Sequence, residues 1–345
     1  MANNTFCITG KIGMNKETEK FKPYSQTDNG KGWNNKRLNF YVKNDMNYCN
    51  LEISGGYSDK KPVVYSFTKS VDGKKGEPIQ IPWNKRNGEE TLEKVAEFKK
   101  QVIVLGEDNR LQTIHEWDFI DNVLELLKSE EHKDSLYRIT GNVVHSEYNG
   151  KFYEKFVPTR IYKVDEDTEQ VSEGVLELHF GQGCIVDEYE TLQKIFINGY
   201  TRVYDGNRKK EIGVPLQNIE ISFENTKEEL RQKVYEKYLE MFTVEDEQFK
   251  KIGLKVNYIN STQQVEFTED MLDDEQKELI ELGFITLDEI KKEMGMGKGA
   301  FVKTTRVCGL ARGYSKGPQD TGLTIENYLI NDEETDDLMD ELLNL

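Results

Sequence analysis

Between Lys31 and Lys43 the chain places Trp33, Lys36, Arg37, Tyr41 and Lys43, and further on it sets Trp83 beside Lys85 and Arg86. Flat rings next to cations are what a groove for an unpaired nucleic-acid strand needs: the rings stack on bases and the cations follow phosphates. Alternation sharpens the assignment. Leu38, Phe40 and Val42 share one strand face, so Arg37, Tyr41 and Lys43 are expected on the other, outside the core. Trp33 follows the loop residues Asn29, Gly30, Lys31 and Gly32. An indole there needs a reason, and stacking on a base contributes ~1–3 kcal/mol. The alternative is that Trp33 and Trp83 fold back as lids on the core.

A second segment carries a similar device. Tyr200, Arg202 and Tyr204 alternate onto one strand face, and Arg208 follows the Asp205-Gly206 turn. Tyr153 and Arg160 are further candidates. Glu177 and His179 fall on the outer face of Leu176, Leu178 and Phe180, where a carboxylate repels phosphate, so the groove is not expected to cover the whole sheet. The stretch 295–322 is rich in glycine and holds Lys298, Lys303, Arg306, Arg312 and Lys316. It reads as a basic loop whose backbone can approach phosphates. Gly297-Lys298-Gly299 lacks the spacing of a nucleotide-hydrolysing phosphate loop.

Other chemistries find no pattern. The cysteines at 7, 49, 184 and 308 form no C-x-x-C pair, and the histidines at 115, 132, 145 and 179 form no HExxH. No G-x-S-x-G elbow is present. We therefore expect no catalytic residue, no metal and no cofactor. Asp118 and Asp121 are expected to face solvent from a helix. With mean hydropathy −0.72 and no long apolar run, no membrane span is expected. The amino terminus lacks a basic-then-apolar leader, so a cytoplasmic location is the expectation.

The elements that must position these residues are mostly short strands. Apolar residues make up 36% of the 345, and 17 Tyr, 16 Phe and 3 Trp supply bulky core material. Alternating strands fill 1–115, and an amphipathic helix with Ile120, Val123, Leu124 and Leu127 on one stripe occupies the linker 116–135. A second strand-rich block spans 136–225. It opens with Tyr137-Arg138-Ile139-Thr140-Gly141, an echo of Phe6-Cys7-Ile8-Thr9-Gly10 that suggests a repeat. A mixed α/β segment covers 226–331. The expected fold is mainly β with helices, built as tandem OB-like barrels, since closure hides strand edges and leaves a curved face for a ligand. A single larger β-sandwich is the alternative.

Charge divides the chain. The formal total is −17, yet residues 1–105 hold more Lys and Arg than Asp and Glu. Residues 332–345 carry acids without a base: Asp336, Asp337, Asp340 and Glu341 interleave with Leu338, Leu342, Leu343 and Leu345. Such a tail reads as disordered and suited to docking partners or competing for a basic groove.

Basic-aromatic strand blocks ahead of an acidic tail resemble the single-stranded-DNA-binding proteins of bacteria and their phages. The resemblance implies OB-folds, coating of unpaired DNA without sequence preference, and recruitment of replication or recombination proteins through the tail. The chain is longer than the usual bacterial member and ends in Leu343-Asn344-Leu345, where that family often ends in proline-phenylalanine. Those departures point to a phage-type version with two barrels. A rival from another class is an acidic protein-interaction factor, such as a DNA mimic or an inhibitor of a host enzyme.

Overall fold

The computed structural model describes residues 4–28, 32–44, 47–70, 76–95, 101–104, 111–245, 247–262, 280, 286 and 301–329. Apart from residues 280 and 286, the expected helices over 271–293 lie outside the described residues, as do the acidic tail and residues 295–300 of the glycine-rich stretch.

The chain is mainly β. Its first half runs β1 (Thr5–Met14), β2 (Tyr24–Asp28), β3 (Trp33–Asn44), β4 (Asn47–Ser58), β5 (Val63–Phe67), β6 (Pro78–Pro82), α1 (Glu89–Lys94), β7 (Gln101–Val104), β8 (Leu111–Ile114), α2 (Glu116–Lys128), β9 (Leu136–Tyr148) and β10 (Lys151–Val164). Then come β11 (Ser172–Phe180), β12 (Ile185–Glu188), α3 (Tyr189–Leu192), β13 (Lys194–Asp205), β14 (Lys210–Ser222), α4 (Glu228–Phe242), β15 (Lys250–Thr262), β16 (Phe301–Leu310) and β17 (Gln319–Asp320).

The strand pairings run in two circuits. In the first, β1 pairs β3, β3 pairs β4, β4 pairs β10 in parallel, β10 pairs β9, and β9 returns to β1. In the second, β11 pairs β13, β13 pairs β14, β14 pairs β16 in parallel, β16 pairs β15, and β15 returns to β11. The order of strands is the same in both, and each circuit inserts its long helix between its third and fourth strands in chain order. The first strands of the two circuits also pair with each other: Thr5 to Ile8 lie antiparallel to Val175 to Ser172.

This arrangement departs from the expected boundaries. β9 and β10, expected to open a separate block at 136, complete the first circuit. The echo between Phe6–Gly10 and Tyr137–Gly141 is a pairing and no repeat: Ile8 lies opposite Ile139 and Gly10 opposite Tyr137. Only the two isoleucines of the shared pattern face each other; Thr9 lies opposite Arg138 and Thr140 opposite Cys7. Likewise β15 and β16, expected in a mixed carboxy-terminal segment, supply two strands of the second circuit.

The interiors follow from alternation. Along β3, Lys36, Leu38, Phe40, Val42 and Asn44 are buried in turn, and the residues between them face outward. Burial of a large apolar side chain contributes about 1.5–3 kcal/mol. The α2 stripe (Phe119, Ile120, Val123, Leu124, Leu127) packs into the same cluster as Leu38, Leu51 and Ile139. His115 caps this helix, its Nδ1 accepting from the Trp117 N–H at 3.1 Å. Among the described residues no helix is long and apolar enough to cross a membrane.

Candidate nucleic-acid interface

The outward row of β3 carries Trp33, Arg37, Tyr41 and Lys43, spread over roughly 33 Å at ~3.3 Å per residue. Both rings lie down against glycines of neighbouring strands. A Cβ at Gly13 of β1 would stand 2.4 Å from the Tyr41 hydroxyl oxygen, and one at Gly56 of β4 would stand 3.0 Å from Trp33 Nε1. A strand glycine often marks such a close approach. Trp33 remains 45% exposed. Tyr41 stacks on Tyr48 of β4, centroids 4.8 Å apart and planes at 28°. The Tyr48 hydroxyl donates to Asn15 Oδ1 at 2.6 Å, which fixes that ring. Burial, then the neighbouring Tyr41, pushes the Tyr48 hydroxyl pKa up, so it stays neutral and a donor.

Cations surround these rings. Lys11 of β1 lies opposite Lys43. Glu52 of β4 is the carboxylate on this face, and it is held between Arg37 and Lys155, the latter at 2.8 Å. With that charge compensated, the excess over Lys11, Arg37, Lys43 and Lys155 is positive. Flat rings set in a positive sheet can stack unpaired bases and attract phosphates.

Several expected contacts serve the fold. Lys36 points inward, 5% exposed, with its Nζ 2.7 Å from Asp121 Oδ1 and 4.1 Å from the centroid of Trp117. It pins α2 to β3, because its place in the alternation is that of Leu38 and Phe40. Trp83 folds back as a lid, stacked on Tyr57 at 4.0 Å and edge-on to Trp117 at 5.9 Å. Arg86 covers the other side of Trp83 at 4.0 Å and grips Asp118 with Nε at 2.8 Å and Nη2 at 2.6 Å. Burial works against the Asp118 charge, but hydrogen bonds from Arg86 and Asn87 outweigh it and hold the carboxyl below the usual range. Asp118 and Asp121 are thus ion-paired anchors of α2; Asp118 is largely withdrawn from solvent, contrary to the expectation, while Asp121 keeps 42% of its side chain exposed. Lys85 is exposed at this turn.

On the second circuit, Tyr204 is 67% exposed, while Arg202 pairs with Glu211 at 2.8 Å. Tyr200 lies under other rings, 5.3 Å from Tyr328 and 5.9 Å from Phe249. Arg208 is a clamp, bound to Asp205 of its own hairpin and to Glu147 of β9 at 2.7 Å. Tyr153, 43% exposed, sits on β10. Arg160 of β10 lines a cavity of about 520 Å³ at the seam between the circuits, together with Cys7, Asn142, Lys255 and Cys308. Of the basic stretch, Lys303 pairs with Glu154 at 2.7 Å and Arg306 with Glu220. Glu177 hydrogen-bonds His179, which holds its carboxyl down.

The structure therefore gathers Trp33, Arg37, Tyr41 and Lys43 on one face and removes Lys36, Trp83 and Arg86 from it. Sequence reasoning missed Lys11, Gly13, Tyr48 and Gly56. The signal was glycine inside an otherwise alternating strand. Among the described residues no group of three or more His, Cys, Asp or Glu side chains is placed to hold a metal ion.

No protein-family model matches the chain. No curated protein matches it either. Among solved structures, it is similar to a deletion mutant of the single-stranded DNA binding protein from Thermus aquaticus, at 10% identity over 76% of this chain and 89% of that one, with a TM-score of 0.31. A TM-score of 0.31 is too low to carry a conclusion about this chain.

Proposed function

We propose that the chain binds single-stranded DNA without sequence preference and without a catalytic step, along the outer face of β1, β3 and β4. In this reading both strand circuits are OB-type barrels, whose second and third strands form the ligand face. The carrying observation is the pair of rings on β3, Trp33 and Tyr41, packed against Gly56 and Gly13 amid Lys11, Arg37 and Lys43. Trp33 and Tyr41 stack bases, and Arg37, Lys43 and Lys11 hold phosphates. A role in phage-type replication or recombination, in the cytoplasm, and recruitment of partner proteins by the acidic residues 332–345 complete the proposal.

Binding dominated by phosphate contacts releases counterions and weakens steeply with salt. Anisotropy titration of labelled oligo-dT from 50 to 300 mM salt tests this: three phosphate contacts give a log–log slope of about −2, from ~0.7 per contact on a single strand. No complex at low salt, with or without residues 332–345, overturns the proposal. Capture of a host protein in that case supports the acidic-factor alternative.

A further inference from the structure

The outer faces of the two circuits correspond strand for strand, yet among the described residues one is open and the other covered. Tyr200 on β13 pairs with His179 of β11 in the same place as Tyr41 on β3 pairs with Gly13 of β1. Over Tyr200 runs the segment 321–329. It sets Tyr328, 1% exposed, against Phe249 in a stack at 4.4 Å and 26°. Its hydroxyl shares a 2.9 Å hydrogen bond with His179 Nδ1. Gly213 of β14 leaves the room for this: a Cβ there would meet Tyr328 Cβ at 2.7 Å and its carbonyl oxygen at 2.8 Å.

The segment is held at few points. The Phe249 N–H donates to the Leu323 carbonyl at 2.8 Å, and the Thr321 N–H donates to the Phe249 carbonyl at 3.0 Å. Two of its other large apolar side chains gain little cover, with Ile325 42% and Leu329 49% exposed. Tyr328 thus presents a flat ring to an aromatic sheet face, 5.9 Å from the Arg202 guanidinium. That is the contact a base makes on such a platform.

We infer that segment 321–329 is a built-in occupant of a second strand-binding face, and that nucleic acid reaches Tyr200 and Arg202 only where the segment leaves. The inference rests on the reading of the first face given above. The Tyr328 ring with its hydroxyl bond to His179, and the hydrogen bonds of Thr321 and Leu323 to Phe249, hold the segment, so a strand already seated on the first face competes for the second as its length grows.

The test is the footprint. The full chain and its Tyr328→Ala and Gly213→Ala variants are titrated with dT oligomers of increasing length at low salt. Tyr328→Ala removes the anchor. Gly213→Ala expels it while leaving Tyr328 and Tyr200 in place, and so covers the case in which the first variant fails to fold. The expected result is a longer minimal tight-binding oligomer in both variants, by about one OB footprint of ~4–16 nucleotides. Adding Tyr200→Ala to Tyr328→Ala then returns the wild-type length. Equal lengths in the wild type and both variants overturn the inference and leave the first face standing. No complex with any of the proteins overturns the reading of the first face and this inference with it.

Discussion

At the scale of single residues, burial separates cations that bind from cations that build. Lys36 and Arg37 are adjacent, yet Lys36 lies under α2 on Asp121 while Arg37 is at the surface on Glu52. Removing Lys36 breaks the ion pair that ties α2 to β3 through Asp121, whose carboxylate is partly solvated, and breaking Arg86–Asp118 leaves a half-buried carboxylate unpaired; each should cost about 1–3 kcal/mol, the Asp118 pair more. Lys36→Ala and Arg86→Ala are therefore expected to lower the thermal midpoint and leave oligo-dT affinity unchanged once folded. Tyr41→Ala should do the reverse, weakening binding by ~1–3 kcal/mol with little change in stability. Thermal melts and anisotropy titrations on the same samples separate the two patterns.

Two partly buried groups contribute to the response to acid in separate pH ranges. Burial pushes the His115 pKa down from 6.5 to about 4, with Asp118 opposing and Arg86 assisting. Its Nδ1 accepts the helix-capping hydrogen bond, so it must stay neutral in the fold. The unfolded chain then binds more protons between those values, and the contribution is complete above pH 6.5 and declines toward pH 4. Burial also disfavours the Glu154 charge, but His145 and Lys303 overcome it and hold the pKa down to about 2, from 4.5. That contribution is complete above pH 4.5 and is lost as pH falls toward 2. Chemical denaturation from pH 8 to pH 2 should show both declines, and His115→Gln should remove the upper one alone.

At the scale of elements, each ring of the platform depends on a partner strand. In Gly13→Ala the three atoms nearest the new methyl, at 2.4–3.0 Å, all belong to the Tyr41 side chain. Tyr41 must then lift from β1 and lose its stack on Tyr48. We expect reduced oligo-dT affinity with a melting temperature close to wild type, whereas a large loss of stability would show that the ring cannot move. The outward row of β3 was legible because strict alternation over Leu38, Phe40 and Val42 leaves Arg37, Tyr41 and Lys43 no other side. Lys36 belongs to the inward set by the same period, but a lysine there reads as surface until Asp121 on α2 is known to meet it. Trp83 was illegible for a similar reason: Tyr57 and Trp117, which enclose it, come from elements that folding alone brings together.

At the scale of the whole molecule, the strands and helices were largely readable, but their grouping was not. Parallel closure of β4 on β10 and of β14 on β16 joins residues far apart in sequence, and nothing local marks either junction. The shared Ile-Thr-Gly of β1 and β9 misled because a five-residue echo does not distinguish equivalent strands of two units from neighbouring strands of one. Charge behaves similarly. The excess of acid over the later residues coexists with a positive face, since cations such as Lys303, Arg306 and Arg208 are paired within the second half of the chain or across the seam.

Photocrosslinking of bound oligo-dT, followed by mapping of the modified peptides, tests the central claim most directly. The face of β1, β3 and β4 predicts adducts on Trp33, Tyr41 and Tyr48, lost on competition with unlabelled strand. Adducts confined to other surfaces, with these three residues unmodified in a saturated complex, would contradict it.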